Sequence, residues 1–296
     1  MEVKVQLPAI TALAQYYDSS FRCFTFQDFQ LAPTIEEFEY ILGLPLEGSK
    51  PYQHLEHHAS VSIIAAIMKL QPNELENRLI TRHQMRGLAQ GYLEQYLQHL
   101  ADKEEWETFM DVLALTVYDI ILFPKIEDFV DYTAIDVFVA RKTRSENPVT
   151  AILADVYGTL SFCHERKGKK ILCCLPALYA WMSARVFKGV VDVGSSSENL
   201  HQGGNEWAFF FAGLREGNVK WHLPWLGIKP SIQYCGGFPN VPLIRARYCI
   251  NYNPILVQRQ FGHPMKGAPS SDFLTTFFIY YEDGHFIEVL RKVRSA

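Results

Sequence analysis

Three histidines, His54, His57 and His58, crowd into the segment "HLEHH". A helical zinc site wants two histidines four residues apart, and a zinc protease wants the order His-Glu-x-x-His. Here the spacing is three, the glutamate is misplaced and no third ligand is signalled, so the segment reads as a solvated loop. Cys163 and His164 place a thiol beside a base in sequence. Adjacent side chains on a helix point about 100° apart, so these two would not address each other. Lys69, in "IMKLQ", is the only lysine flanked on both sides by apolar residues within a helical pattern. No phosphate cup accompanies it, as pyridoxal phosphate would require. "GGFPN" lacks the lysine, the serine and the following helix of a phosphate loop. No catalytic, metal-binding or cofactor-binding residue is assigned.

Two sets of charges remain. Asp111, Asp119 and Asp155 fall on helical patterns, and a hydrolase or nuclease would need such carboxylates to converge in a pocket. Asp119 interrupts an apolar run, which makes it either a buried carboxylate with a raised pKa or one paired in the core with an arginine or hydroxyl. The cations cluster in "HERKGKK", "RARY" and the terminal "RKVR". Clustered cations bind phosphate backbones through counterion release. Arg166, Lys167, Lys169, Lys170, Arg245 and Arg247 are therefore the candidate nucleic-acid or anion contacts. The plainer reading of the first four is a solubilising loop between two helices.

The elements that must position these groups are mostly helical. Aromatic residues make up 14% of the 296 and charged residues 20%, a composition that builds a large aromatic core. The net charge of −4 conceals an asymmetry: residues 34–136 carry 18 Asp/Glu against 7 Lys/Arg, whereas 137–189 carry 3 against 9. No apolar run is long enough to span a membrane, and the N-terminus lacks the features of a signal peptide, which predicts an intracellular chain. Its six cysteines then read as reduced, buried thiols.

Along the chain, "CFTFQDFQL" alternates as a bent strand or short hairpin. Thr34 and Glu37 form a capping box for a helix lined by Ile35, Phe38, Ile41 and Leu42, which Gly43 and Pro45 end. Phe24, Phe26, Phe38 and Leu42 are expected in the core. Met85 to Leu100 shows helical spacing. Trp106 to Phe123 is apolar nearly all round and reads as a central buried helix. Asn147-Pro148 starts another helix, Pro176 marks the next, and Asn253-Pro254 a later one. The Gly/Ser-rich stretch at 189–205 reads as a long loop or sub-domain boundary. The apolar pattern of the tail runs out without a cap, as in a piece of a longer polypeptide.

These motifs, in order, resemble the plant mobile domain. "FRCFTFQDFQLAPTIEEFEYILGLPLEG" is similar to that family's opening block, and "FMDVLALTVYDIILFP" to its central helix. "NPVTAILADVYGTLSFCHERKGKKILCCLPALYAWMSARV" is similar to its next helix pair, and "INYNPILVQRQFG" to its near-terminal block. The segments "WHLPW" and "CGGFPNVPLIRARYCINYNP" look closest to a legume-expanded, retrotransposon-associated branch. The resemblance implies a domain sometimes labelled aminotransferase-like without the residues for that chemistry. It also implies kinship with nuclear maintenance-of-meristems-type proteins, which act in genome integrity and silencing with a phosphatase-like partner.

The expected fold is mainly α: a single helical domain over 1–296, with a short β-hairpin near the N-terminus and a few short strands in the C-terminal third. The expected function is a non-enzymatic, transposon-derived protein-interaction module in the nucleus, with a protein partner and no cofactor or membrane. The alternatives are direct nucleic-acid binding through the basic face at 137–189, and an enzyme with a cryptic carboxylate site.

Overall fold

Proline and capping residues set most helix starts. The computed structural model describes residues 4–186, 203–226, 231–238, 240–261 and 271–296. Helix α1 (Leu7–Ala14) has Pro8 in its first turn and buries Ala9, Ile10, Ala12 and Leu13. Strands β1 (Tyr17–Asp18), β2 (Cys23–Thr25) and β3 (Gln30–Leu31) follow as an antiparallel meander, with Phe24 opposite both Tyr17 and Leu31. Helix α2 (Ile35–Leu42) carries the predicted capping box and ends on Gly43 at φ 65°, where glycine bears no Cβ penalty. Phe24, Phe26 and Phe38 are buried, and Leu42 packs half-buried against the same core.

The next elements are β4 (Lys50–Pro51), α3 (Val61–Ile67), α4 (Pro72–Arg78), β5 (Leu79–Arg82), β6 (Met85–Ala89), α5 (Gln90–Asp102) and α6 (Trp106–Val117). A π-helical turn at Tyr118–Leu122 extends α6. Then come β7 (Phe129–Asp131), α7 (Tyr132–Arg144), β8 (Glu146–Asn147), α8 (Val149–Glu165) and α9 (Leu175–Val186). The rest comprises α10 (Gly204–Ala212), β9 (Val241–Arg245), β10 (Tyr248–Tyr252), a 3₁₀ segment at Pro254–Phe261, α11 (Ser271–Leu274), β11 (Phe278–Tyr280) and α12 (Phe286–Ser295). Of the predicted loop or boundary at 189–205, residues 189–202 lie outside the described residues.

The expectation of a mainly α fold is corrected here. The structure is 51% helix and 15% strand, with four small sheets, a mixed α/β architecture. The N-terminal unit is a three-stranded meander, not a hairpin, and β4 pairs in parallel with β8. The segment from Met85, predicted helical, is strand until Ala89 and sits at the centre of the β5–β6–β7 sheet. Gly87 faces Asp131 there, and a Cβ on it would strike the Val130 carbonyl. Such strands escape period-two reading because several have only two residues, and β9 and β10 are buried at every position.

Two apolar cores result. The larger gathers α1, α2, α8, α9, β9 and β10, with Trp181 stacked on Phe24 and Tyr157 on Tyr252. The smaller gathers side chains from α3 to α6. Helix α7 serves both. Ala134, Val137 and Ala140 enter the first core, and Ile135, Phe138 and Val139 the second. A helix apolar on opposite sides has few places left for polar groups: Thr133 and Asp136 are buried among its apolar residues, and Arg141, Lys142 and Thr143 are exposed in its last turn.

Candidate functional site

Helix α6 is not the central buried helix that its composition predicts. It buries Thr108, Val112, Leu115 and Thr116. Trp106 (57% exposed), Met110 (59%), Val117 and Ile120 (46%) face solvent, with Leu113 half-buried between them. The steps are four, three, four and three, the spacing of the apolar seam of one helix in a helix pair. At 1.5 Å per residue the ridge runs for about 20 Å. Exposed Glu104, Glu105 and Glu107 surround its Trp106 end, and on its flank Lys142 Nζ holds Asp111 Oδ1 at 2.8 Å. The ridge is an apolar stripe left on a solvent face of the fold.

Behind it, at the edges of α7, lies a polar seam. Asp131 caps α7, its Oδ1 accepting from the Thr133 and Ala134 amides at 2.8 and 3.1 Å. The Asp131 amide donates to Asp119 Oδ1 at 3.3 Å. Burial first, and then the nearby Asp131 charge, push the Asp119 carboxyl up to about 8. Five residues into the helix, Asp136 accepts from the Ala59 amide at 2.7 Å and binds His58 Nδ1. That hydrogen bond raises the His58 pKa. The buried His54 ring takes a Tyr52 hydroxyl contact at 3.3 Å, and burial lowers its pKa to about 4. Arg247 is half-buried nearby, in the field of Asp131 and Glu282, and its own charge acts on His58.

The reading of "HLEHH" as a solvated loop is therefore corrected. Residues 50–59 are stitched down: the Tyr52 amide donates to the Asn147 carbonyl at 2.9 Å and the Gln53 amide to Glu146 Oε2 at 2.9 Å. Arg291 holds Glu56 from α12, Nε to Oε1 at 3.0 Å. An oriented imidazole with a carboxylate behind it can move a proton. Among the described residues no hydrogen bond joins His58 to a hydroxyl or thiol that it could activate.

The candidate cations separate. Arg166, Lys167, Lys169 and Lys170 are all exposed on the turn after α8. Arg245 is only 3% exposed, on the buried strand β9. Its Nε lies 2.9 Å from Asp155 Oδ1, off hydrogen-bond alignment, and its guanidinium lies over the Phe123 and Tyr248 rings. Lys125 Nζ reaches the same Asp155 oxygen at 3.0 Å and donates to Thr159 Oγ1 and the Leu172 carbonyl. Arg245 is thus spent inside the fold and unavailable to a nucleic acid.

The three carboxylates do not converge. Asp111 pairs with Lys142, Asp119 lies against Asp131, and Asp155 sits between Lys125 and Arg245. All six cysteines are free thiols; burial raises Cys174 to about 11 and Cys249 to about 12, which disfavours thiolates. Among the described residues, no three His, Cys, Asp or Glu side chains are placed to share a metal. None of the described helices is long and apolar enough to cross a membrane.

Sequence reading passed over His58 with Asp136 and the solvent face of α6. Asp136 did leave a signal, an acid inside the apolar run "YTAIDVFVA". So did α6, since a helix apolar all round has either two buried faces or one face awaiting a partner.

Over residues 1–296 the chain matches the family described as "Domain of unknown function (DUF7745)", and it belongs to that family. No curated protein and no solved structure matches it.

Proposed function

We propose that this chain is a non-enzymatic protein-interaction module whose α6 ridge receives an apolar-striped helix of another protein. The observation that carries this is the four-three spacing of Trp106, Met110, Leu113, Val117 and Ile120 on a solvent face. Only a helix presents knobs at that interval. The exposed glutamates around Trp106 favour a partner with basic residues at the facing end. Against catalysis stands the engagement of each candidate carboxylate in structural contacts. The resemblance to the plant mobile domain extends the proposal to a transposon-derived module of nuclear genome maintenance or silencing, with a phosphatase-like protein the first partner to try.

A photo-crosslinking amino acid at Met110 and, separately, at Val117 tests this in cells. The expected result is one and the same protein captured from both positions, through a segment that maps to a helix. Capture must be lost when the other position is changed to Glu. Failure to capture any protein from the ridge, or capture indifferent to Glu at the other position, sinks the reading. Capture of a second copy of the chain would replace it with self-association.

Direct nucleic-acid binding is the second reading, favoured by the four exposed cations between α8 and α9. Changing Arg166, Lys167, Lys169 and Lys170 to Gln should then weaken binding and flatten its salt dependence. An unchanged salt slope excludes that surface.

A further inference from the structure

Beside the Trp106 end of the ridge, α4, α5 and the turn after α3 line an open cleft of about 400 Å³. One wall is a ladder of rings on α5. Tyr92, Tyr96 and His99 follow at steps of four and three, and Lys103 four further on, so all share one helix face. The Tyr92 and Tyr96 rings are 6.2 Å apart and within 4° of parallel; Tyr96 and His99 are 6.3 Å apart at 25°. Tyr96 is fixed in place by its hydroxyl, which donates to the Met68 carbonyl at 2.6 Å. The Arg78 guanidinium lies 5.1 Å over the Tyr92 ring, closing one end of the ladder. Lys103 stands at the other end, and Lys69 also lines the cleft, loosely held by Glu107 at 3.6 Å.

Stacked planar rings with cations at both ends suit a ligand that is itself planar and anionic. Every nucleobase offers a π-face to such a ladder, and Arg adds a cation–π contact. Arg78 and Lys103 are the cations at the ends of the lining; Glu107 offsets Lys69, and Glu74 and Glu105 are the carboxylates in it. Those carboxylates accept hydrogen bonds from amino or sugar hydroxyl groups, which nucleotides carry and simple polyanions lack. The volume lies within the range of small-ligand sites. We propose that the cleft binds a nucleobase bearing a phosphate, the base against the Tyr92–Tyr96–His99 wall and phosphate at the cation of either end, Arg78 beside Tyr92 or Lys103 beyond His99, with two phosphates of a strand able to meet both. The source is either a free nucleotide or a single-stranded nucleic acid threading the cleft.

Fluorescence anisotropy of the 296-residue chain with labelled oligo-U and oligo-dT of about ten nucleotides, at about 50 and 200 mM salt, tests the site. AMP and UMP serve as competitors. Tyr92→Leu and Arg78→Gln should each weaken binding by about tenfold or more. Lys103→Gln, a change on the exposed surface, should weaken it while leaving the fold unaltered. Tyr96→Phe, which keeps the ring but loses its anchor on the Met68 carbonyl, should weaken it less than Tyr92→Leu. Competition by a mononucleotide as strong as by the unlabelled strand identifies a nucleotide site; much stronger competition by the strand identifies a single-strand channel. The proposal is overturned if no probe binds at low salt. It is equally overturned if binding ignores Tyr92, Arg78 and Lys103 and is lost instead on changing Lys167, Lys169 and Lys170 to Gln.

Discussion

Arg185 on α9 and Glu37 on α2 form an ion pair sealed from solvent, with Arg185 Nε donating to Glu37 Oε1 at 2.6 Å. The other Glu37 oxygen closes the capping box by accepting from the Thr34 amide at 3.0 Å. Gln260 donates to both oxygens at 3.3 Å, and the remaining Arg185 donors reach the carbonyls of Lys220, Trp221 and Gln260. One carboxylate therefore caps the start of one helix, anchors a second and receives the 3₁₀ segment near the C-terminus.

Arg185→Leu should be among the most destabilising single changes in the chain. It strands a buried carboxylate, a loss of about 3–5 kcal/mol, whereas Thr34→Ala forfeits only a cap, about 1 kcal/mol. Urea unfolding of the two variants should rank them in that order. Equal effects would mean that the cap and the ion pair are not separate contributions.

Arg245 and the turn cations should part company in the same assay. Arg245→Gln removes one of two cations held against a buried carboxylate, Asp155, and is expected to cost about 3 kcal/mol or more. Changing Lys167, Lys169 and Lys170 together should stay within about 0.5 kcal/mol, because all three are solvated. A stable Arg245→Gln protein would show that Lys125 alone satisfies Asp155.

The ridge makes its own stability prediction. Met110→Glu with Val117→Glu should leave the urea midpoint nearly unmoved, since both side chains already face water. Leu115→Ala, on the opposite face of α6, should cost about 2–5 kcal/mol. A large loss from the paired Glu changes would place the ridge inside the fold's own packing.

These contrasts show which parts of the fold were legible in sequence. Helix starts were, because a cap is local: Thr34 with Glu37 caps α2, and Asn147 Oδ1 accepts from the Val149 amide at the start of α8, whereas Asn253 Oδ1 accepts from the Ile255 amide at the start of a kinked 3₁₀ segment and not of the predicted helix. The sheets were not, because two-residue strands carry no period and fully buried ones no alternation. The seam was hidden for a different reason. His58 and Asp136 are 78 residues apart, and no spacing rule connects them. Arg245 and Arg247 look equivalent in "RARY", yet only the first ends a buried strand beside a carboxylate. The cleft escaped because Arg78 and Tyr92 meet only once α4 and α5 are folded.

The two histidines of the seam should titrate in opposite directions. The Asp136 hydrogen bond raises His58, so its contribution to stability is full below pH 6.5 and is lost as pH rises through its folded pKa. Burial lowers His54 to about 4, so the cost of burying it grows as pH falls from 6.5 toward 4. Proton NMR of the imidazole resonances should resolve one histidine titrating above 6.5 and one near 4. Asp136→Asn should bring the first down toward the ordinary value and, by removing a charge that holds His54 up against its burial, push the second lower still. Two unperturbed titrations would mean that residues 50–59 are not held as described.

Asp119 sets the pH dependence above neutrality. Its folded-state pKa is raised from 3.8 to about 8, so the folded chain keeps a proton that the unfolded chain has lost throughout that window. Stability from this group therefore falls as pH rises from about 4 to about 8 and levels off beyond. Asp119→Asn preserves an oxygen for the Asp131 amide and cannot ionise. It should be more stable than the parent at pH 8 by about 2 kcal/mol or more, and the gap should close toward pH 4. Urea unfolding of both proteins across that range reads the gap directly. A constant difference would mean that Asp119 ionises normally and that a cation outside the described contacts holds it. A gap that widens with pH, as expected, shows that Asp119 keeps its proton in the fold up to about pH 8.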